Sequence, residues 1–396
     1  MKIFTPSNIL IPKTPMDKWA TIACDQHTSD PSYWEKADAF VDSVPSALRV
    51  ILPEVYLSAD NDEAVKRINA TMRQYLDEGI FTEHENAMIY VERKQANGKV
   101  RRGIVGAIDL EAYDFRKGAS TPIRATEATV PERIPPRVEI RKNAPIELPH
   151  AMLLIDDVKR SVIERLAEKT DAMTLLYDCE LMLGGGSIKG YLLTEDLIAK
   201  TLTALDTLAE ETPLLFAVGD GNHSLATAKT CYKLDPNEKN RYALCEIVNI
   251  HDEALEFEPI YRVLFGTTKE AVLSAISNYT AEHSSVSATQ SVTLISGGEE
   301  IDLTLPAVYS LPVSTLQDLI DRFSRDNPSV TVDYIHGIDE TRELSAKDNA
   351  VGFLFEGMAK SQLFPTVIRD GSLVRKTFSM GEACDKRYYI EARKIK

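Results

Sequence analysis

The sequence predicts a mixed α+β fold with two domains. Segments with the apolar periodicity of helices alternate with segments typical of strands, and no fixed repeat period relates them. The chain has 396 residues, of which 44% are hydrophobic and 27% charged, which is an ordinary globular composition with room for more than one core. We place a larger domain at 1–265 and a smaller α+β domain at 266–396.

The first half of the larger domain contains a predicted helix and a predicted hairpin. Residues 61–77 carry apolar side chains at helical spacing, and we take Asn61 as the N-cap. Segments 87–92 and 100–108 have strand character and flank Asn97-Gly98, a dipeptide that favours tight hairpin turns.

The segment 113–149 contains six prolines, and we predict that it is a long ordered loop. Its portion from 116 to 142 has seven basic and three acidic residues, a net charge of +4 in a chain of net charge -15. Such a basic segment suits a small anionic ligand or, alternatively, pairs with acidic neighbours on the surface. Arg124, Arg133 and Arg137 offer guanidinium groups for phosphate or carboxylate.

Alternating elements are predicted after this loop. They are a strand at 152–155, a helix at 156–169, a strand at 174–179, a helix at 194–210 and a strand at 213–218. The smaller domain should begin with a helix at 269–278, followed by a hairpin around 296–298 and a helix opening at Ser314 with Gln317 as its capping-box partner. Strands near the C-terminus either close this domain or return to the first one.

The most informative turn follows the strand at 213–218. Gly219, Asp220, Gly221, Asn222, His223 and Ser224 form a polar turn that leads into a helix. The glycines let the backbone approach a ligand, and the start of the helix favours an anion such as phosphate. Asp220 could then hold a metal or act as a base, and His223 could donate to a phosphoryl oxygen or transfer a proton. The alternative is a structural turn in which Asn222 caps the helix.

A second polar turn follows the predicted strand near the N-terminus, at residues 24–29. Asp25 suits a hydrated metal or a substrate hydroxyl, whereas Cys24 and His27 suggest a thiolate with its base. A buried structural cysteine is the simpler interpretation of Cys24. His150 is a further candidate without independent support.

Composition excludes several functional classes. Five cysteines without a paired spacing form neither a disulfide framework nor a zinc ribbon. The net charge of -15 disfavours binding to nucleic acid, and no apolar run is long enough to cross a membrane. We therefore expect a cytoplasmic protein with a small anionic ligand or a nucleotide as its partner, in an oligomeric state that the sequence does not define.

Several separated motifs resemble those of the domain of unknown function 1015 family, nearly from end to end. They are Cys24 to Ser29, Ile123 to Glu127, Glu132 to Arg137, Gly219 to Ser224 and Lys376 to Ala383. The box at 219–224 is similar to the phosphate-binding box of the ParB and sulfiredoxin superfamily, which includes ADP- or ATP-dependent kinases of free serine. The resemblance implies a ParB/sulfiredoxin-like nucleotide-binding core with a long Pro/Arg-rich loop and inserted elements.

The resemblance also implies that Asp220, Gly221 and His223 lie at the phosphates of a nucleotide. This chain departs from the box at Asn222, where the superfamily has His, and at Ser224, where Arg is common. One of Arg124, Arg133 and Arg137 would then have to replace the missing charge.

The leading hypothesis is a nucleotide-dependent enzyme that phosphorylates a small hydroxyl-bearing metabolite such as a free amino acid, with ATP or ADP and Mg²⁺. Asp25, Asp220 and His223 are the candidate catalytic residues, and the two aspartates are also candidate metal ligands. Candidate phosphate-binding residues are Gly219, Gly221, Asn222, Ser224, Arg124, Arg133 and Arg137. The alternatives are a non-catalytic nucleotide- or metabolite-sensing module, DNA binding of the partition-protein kind, and a hydrolase that uses Cys24 and His27.

Overall fold

The computed structural model describes residues 2–58 and 60–396, and it confirms the mixed α and β class. The chain divides into two compact units, the first made of Met1–Leu255 and Glu382–Lys396, and the second of Glu256–Gly381. The second unit thus begins ten residues before the boundary that the sequence suggested. Of the C-terminal strands, those at Ala350–Phe355 and Phe378–Met380 belong to the second unit, whereas the final segment from Glu382 returns to the first, so both alternatives occur.

The first unit contains the majority of the elements. Its helices are α1 (Met16–Trp19), α2 (Pro31–Val41), α3 (Asp62–Asp77), α4 (Ile134–Arg141), α5 (Glu195–Glu211), α6 (Asn222–Leu234) and α7 (Glu238–Arg241). Its strands are β1 (Phe4–Thr5), β2 (Ser7–Pro12), β3 (Thr21–Ile22), β4 (Phe81–Ala87), β5 (Ile89–Lys94), β6 (Val100–Asp109), β7 (Tyr113–Asp114), β8 (Ile123–Ala125), β9 (Ile146–Glu147), β10 (Met152–Ile155), β11 (Thr174–Glu180), β12 (Ser187–Leu192), β13 (Phe216–Asp220), β14 (Tyr242–Asn249), β21 (Tyr388–Tyr389) and β22 (Arg393–Lys394).

A large mixed sheet organises the first unit, with the strand order β11-β12-β5-β6-β14-β10-β13-β8-β7 and β1 beside β6. The pairs β10–β14, β13–β8 and β7–β8 are parallel, and the others in this sheet are antiparallel. Apolar side chains of β10 and β13 pack in one core with residues of α5 and α6, including Leu205 and Leu225. This packing fixes the end of β13 and the start of α6, where the candidate site lies.

Local sequence signals located several of these elements correctly. The hairpin of β5 and β6 turns at Gly98, which has φ +83°, a conformation that glycine adopts easily. Helix α3 buries Ile68, Met72 and Tyr75 as expected. Helix α5 begins after Thr194, whose side chain accepts a hydrogen bond from the Leu197 backbone at 3.3 Å. The strands β10 and β11 also lie close to their predicted positions.

The segment 113–149 is not one long loop. It contains β7, β8 and β9, and α4 begins directly after a short 3₁₀ turn at Pro131–Arg133. Pro135 and Pro136 lie in the first turn of α4, where a backbone N–H is not needed for the helical hydrogen-bond pattern. The prolines therefore mark the start of a helix rather than the absence of regular structure.

The helix predicted at 156–169 is also absent. Turns occupy the first half of this range, and a 3₁₀ helix spans Glu164–Ala172. A local hydrogen bond from the Val162 backbone to Asp157 Oδ2 at 2.8 Å competes with the helical pattern.

The second unit is an antiparallel sheet with helices. Its strands are β15 (Phe257–Phe265), β16 (Thr289–Ser296), β17 (Glu299–Pro306), β18 (Thr331–His336), β19 (Ala350–Phe355) and β20 (Phe378–Met380), in the order β17-β16-β19-β15-β18 with β20 also on β15. Its helices are α8 (Lys269–Glu282), α9 (Pro312–Asp326), α10 (Ile338–Ser345) and α11 (Leu363–Asp370). The predicted hairpin at Gly297-Gly298 is present between β16 and β17.

Helix α9 begins at Pro312, two residues before the predicted start. Ser314 and Gln317 are buried inside it and form no capping box; Gln317 Oε1 instead accepts a hydrogen bond from Arg262 Nε at 2.9 Å. Among the described residues, no helix combines the length and the apolar character needed to span a membrane.

Residues 382–396, which we call the C-terminal strap, are held to the first unit at several points. β21 pairs with β3, β22 pairs with β9, and Ala392 forms an isolated bridge with Leu10. The strap therefore passes directly beside the N-terminal polar turn that follows β3.

Candidate functional site

The end of β13 combines a bulge at Gly219 with a turn that requires glycine at position 221. Gly219 has no register partner, because Met152 pairs with Asp220 and Leu153 pairs with Val218, so the strand bulges there. Gly221 has φ +76°, and a Cβ atom at this position would lie 2.8 Å from the Ala151 backbone. Helix α6 therefore begins abruptly at the end of a central strand.

The start of α6 has no side chain of its own to satisfy its first backbone N–H groups. The cap is Gly221, and Asn222 is the first helical residue rather than the N-cap that the sequence suggested. Asn222 Oδ1 is buried without a hydrogen-bond partner among the described residues. Ser224 is half-buried in the same turn. An anion placed here would meet free N–H groups and the positive end of the helix dipole.

His223 projects from this helix start toward the segment that precedes α4. Its Nε2 accepts a hydrogen bond from the Val130 backbone N–H at 3.2 Å. Burial lowers the pKa of His223 to about 4, with further contributions from Arg137 and Arg133 and an opposing one from Asp25. The ring is thus neutral at pH 7 with its proton on Nδ1, so it can donate a hydrogen bond to a ligand but is a poor proton-transfer group at Nε2.

Asp25 lies in the N-terminal turn, and three neighbours keep it ionised. Burial raises the pKa of its carboxyl, but His150, Gln26 and Lys386 together outweigh this effect and lower it below the usual value. Gln26 Nε2 donates to Asp25 Oδ1 at 3.0 Å, and His150 Nε2 lies 3.7 Å from Oδ2. The side chain keeps 28% of its surface exposed, so a ligand can reach it.

Asp220 ends β13 and lies beside Lys386 of the C-terminal strap. Lys386 Nζ is 3.5 Å from Asp220 Oδ2, and the Gly221 backbone donates to Oδ1 at 2.9 Å. Because Lys386 also acts on the charge of Asp25, the two carboxylates share one cation. The two polar turns, distant in sequence, therefore meet at one site in the first unit.

Two of the three predicted arginines reach this site. Arg137 pairs with Glu54 and donates from Nη1 to the Arg133 carbonyl at 2.6 Å, so its charge is largely balanced. Arg133 is exposed at the start of α4 and acts on His223. Its guanidinium is the freer of the two for an anion.

Arg124 lies elsewhere, which corrects the prediction that it binds phosphate at this turn. Its guanidinium is buried and donates to the carbonyl oxygens of Thr121 and Pro213, at 2.8 and 3.2 Å. Pro213 precedes β13, whereas Asp220 ends it, so the guanidinium lies at the opposite end of that strand. Burial lowers the pKa of Arg124.

A hydrolase that uses Cys24 and His27 does not fit the geometry. Burial raises the pKa of the Cys24 thiol to about 12, and Asp25 adds to the effect, so the thiol stays protonated. Tyr389 Oη lies 3.2 Å from Cys24 Sγ and 2.8 Å from His150 Nδ1. The His27 ring instead stacks on Tyr33, with 3.7 Å between the ring centroids.

Metal binding by protein groups alone has little support. Among residues 2–58 and 60–396, no group of three or more His, Cys, Asp or Glu side chains is arranged to hold a metal ion. Asp25 and Asp220 are two carboxylates at one opening, which is enough for Mg²⁺ when phosphates of a bound nucleotide complete its coordination.

Sequence reasoning missed Lys386, Tyr389 and Glu54, which the structure brings to the site. Lys386 lies in the strap, only a few residues after the motif at Lys376 to Ala383, and that proximity was the available signal. His150 had no independent support in the sequence as a site residue. In the structure it contacts Asp25 through Nε2 and Tyr389 through Nδ1.

The family model for proteins of unknown function 1015 (DUF1015) matches residues 6–323, and the chain belongs to this family. No curated protein matches the sequence.

The chain is also similar to several solved structures. A free serine kinase mutant in complex with ADP is 13% identical, with 75% of this chain and 93% of that chain covered and a TM-score of 0.42. A conserved hypothetical protein from Pyrococcus furiosus is 12% identical, with 75% and 97% covered and a TM-score of 0.39. A C-terminally truncated SbnI from Staphylococcus aureus is 9% identical, with 72% and 82% covered and a TM-score of 0.37.

Proposed function

We propose that this member of the DUF1015 family binds a nucleotide and transfers a phosphoryl group from it to a small hydroxyl-bearing metabolite such as a free amino acid. The observation that carries the proposal is that the start of α6, with His223, lies near two carboxylates, Asp25 and Asp220, that share Lys386 in the first unit. The acceptor class is the one implied by the resemblance of the box at 219–224 to that of the superfamily that includes free serine kinases.

The start of α6 and the arginines at α4 would bind the phosphates of the nucleotide. The backbone N–H groups after Gly219 and Gly221, together with Asn222 and Ser224, would hold phosphate oxygens. His223 would donate from Nδ1, since its Nε2 is already an acceptor. Arg133 would add a guanidinium, and Arg137 would hold Arg133 in place through its carbonyl.

Asp25 is suited to orient the acceptor hydroxyl. Its carboxyl is ionised and accessible, so it can accept a hydrogen bond from the hydroxyl and take up the proton as the new bond forms. A strongly basic group is not required, because phosphoryl transfer depends on positioning and charge stabilisation more than on early proton removal.

Asp220 and Asp25 would hold Mg²⁺, which supplies charge neutralisation on the phosphate oxygens when it is bound. Asp220 also contacts Lys386, so its carboxylate remains oriented toward the opening in the absence of the ion.

A thermal-shift panel tests the binding step. Purified protein is heated with ATP, ADP, AMP, CTP or GTP, with and without Mg²⁺, because a ligand of the native state raises its melting temperature. We expect one nucleotide to stabilise the protein by several degrees and His223→Ala to abolish most of the shift. No shift with any nucleotide at millimolar concentration would contradict the proposal.

Turnover is tested with the stabilising nucleotide and a series of amino acids, by detection of the phosphorylated product. Asp220→Asn should reduce turnover by at least about 100-fold with the fold intact, since it removes a negative charge at the reacting centre. Full activity of this variant would remove Asp220 from the mechanism.

A nucleotide-sensing module without turnover is the second candidate. Ser224 favours it, because the superfamily commonly has an arginine at this position, and the guanidinium of that arginine would hold phosphate during catalysis. Saturable nucleotide binding with no product from any acceptor would support this second function.

A further inference from the structure

Lys386 is more deeply buried than a lysine in an ordinary surface ion pair, and its contact with Asp220 is long. Its side chain keeps 17% of its surface exposed, and Nζ lies 3.5 Å from Asp220 Oδ2. Charge-assisted hydrogen bonds between ammonium and carboxylate groups are normally about 2.7–2.9 Å long. The ammonium therefore stays near both Asp220 and Asp25 without closing on Asp220, and its N–H groups remain available to a ligand.

The backbone around Lys386 is rigidly held, so the position of its side chain is built into the fold. Arg387 is fully buried; it pairs with Glu246 and with Glu391, and its Nε donates to the Pro149 carbonyl at 3.0 Å. On the other side of Lys386, the Asp385 carbonyl accepts a hydrogen bond from Arg101 at 3.0 Å.

A second observation concerns unpaired polar atoms near the start of α6. Asn222 Oδ1 and Thr129 Oγ1 are buried polar atoms without hydrogen-bond partners in the part of the chain that the structure describes. Buried polar atoms are nearly always paired, by protein groups, water or a ligand. The start of α6 and the segment that contacts His223 thus retain polar groups that a ligand or water can satisfy.

We infer that Lys386 is a catalytic residue that binds the terminal phosphate of the nucleotide beside the bridging oxygen. This inference rests on the proposed function. The acceptor hydroxyl oxygen forms a bond to the terminal phosphorus, and the bond from that phosphorus to the bridging oxygen breaks. The hydroxyl proton goes to Asp25, and the electron pair of the broken bond stays on the departing nucleotide, where Lys386 neutralises the added charge.

Binding of a phosphate series to Lys386→Met tests the inference. The probes are ADP, AMP and inorganic pyrophosphate, and the affinity is measured by calorimetry. Loss of a charged donor to the terminal phosphate should raise the Kd of ADP and of pyrophosphate by at least about tenfold and that of AMP by less than about threefold. Lys386→Arg should retain much of the affinity for ADP, because it keeps the charge.

Lys394→Met is the matched control. Lys394 lies in the same strap and pairs with Glu83 at 2.6 Å, with 42% and 33% of the two side chains exposed. Its loss should leave all three affinities and the melting temperature of the free protein unchanged. A merely structural role of Lys386 would lower the melting temperature and weaken ADP and AMP equally.

The failures of the two proposals are distinguishable. If the native protein and Lys394→Met bind ADP, and Lys386→Met binds it equally well, the inference is overturned while nucleotide binding stands. Equal weakening of ADP and AMP overturns it too, because Lys386 then does not act at the terminal phosphate. Absence of binding of ADP and pyrophosphate to the native protein overturns the inference about Lys386, and nucleotide binding itself is overturned only if the thermal-shift panel also finds no nucleotide that binds.

Discussion

Two groups of charged side chains in the first unit adjoin in the chain at residues 386 and 387 and differ in how deeply they are buried. The closed cluster consists of Arg101, Glu246, Arg387 and Glu391, and the open cluster of Asp25, Arg133, Asp220, His223 and Lys386. Each member of the closed cluster is at most 2% exposed, and Arg387 pairs with both glutamates, while Arg101 Nη2 lies 3.5 Å from Glu246 Oε1. In the open cluster, the contacts of Asp25 with His150 and of Lys386 with Asp220 are 3.7 and 3.5 Å long.

The difference separates two uses of charge. Fully buried charged groups can interact only with one another and fix the backbone, whereas partly exposed charged groups remain accessible to a ligand. Arg387 and Lys386 are adjacent residues that belong to the two different clusters. We therefore expect substitution of Arg387 to change stability and substitution of the adjacent Lys386 to change ligand binding.

The largest expected effect is on stability. Arg387→Met should lower the free energy of unfolding by about 3–5 kcal/mol, because Glu246 and Glu391 would remain buried without their partner. Urea unfolding followed by circular dichroism measures the change. Lys159→Met is the control; its pair with Glu211 is exposed, with 72% and 51% of the two side chains accessible, and its loss should change little. A decrease below about 1 kcal/mol for Arg387→Met would show that the closed cluster does not hold the strap.

The next effect is on turnover. Asp25→Asn should lower kcat by about 100-fold or more, since the amide cannot accept the proton of the acceptor hydroxyl. The affinity for the nucleotide measured without Mg²⁺ should change much less, because Asp25 acts on the acceptor and the metal and not directly on the phosphates. Steady-state kinetics and calorimetry on the same preparation separate the two quantities, and an unchanged kcat would assign Asp25 to structure.

A smaller effect distinguishes two arginines of the basic segment. Arg133→Met should raise the Kd of the nucleotide about tenfold, as it removes an exposed guanidinium from the phosphate side. Arg124→Met should leave that Kd unchanged, because its guanidinium is committed to two carbonyl oxygens at the far end of β13. Equal effects of the two substitutions on affinity would contradict the placement of Arg124 outside the site.

The smallest effect concerns the dependence of stability on pH. Burial lowers the pKa of His223 from 6.5 to about 4, so the unfolded chain binds a proton between these values and the folded chain does not. His223 therefore makes the protein lose stability as the pH falls from 6.5 toward 4. His223→Asn should lessen this loss by about 1 kcal/mol, a value reduced because the ring is half-exposed. Urea midpoints at pH 7 and pH 4.5 provide the measurement, and equal losses in both proteins would refute it.

The sequence located the parts of the site that are local in the chain. Asp220 and His223 follow directly from a strand that turns into a helix through Gly221, and Asp25 follows another strand end. Each signal lies within a few residues, so side-chain chemistry and turn geometry are enough to find it.

The remaining contacts depend on positions that local patterns do not determine. Lys386 meets Asp220 across more than a hundred and fifty residues of chain, and Tyr389 reaches Cys24 and His150 in the same way. The prediction for Arg124 is wrong because the local sequence does not tell which end of the neighbouring strand β13 its guanidinium reaches. Pro135 and Pro136 were interpreted as breaking structure, although prolines are equally suited to the first turn of a helix.

The C-terminal strap has a consequence for the order of events during synthesis. Lys386 and Tyr389 are added to the growing chain after the whole second unit, although both belong to the first. A nascent first unit can assemble its sheet and the turn at Gly221 early, yet it lacks two residues of the opening until the second unit has been made. Because pairing of β21 with β3 closes a loop of several hundred residues, it should be among the slow steps of folding. Competence to bind a nucleotide would then arise late, at a stage when the second unit is already complete.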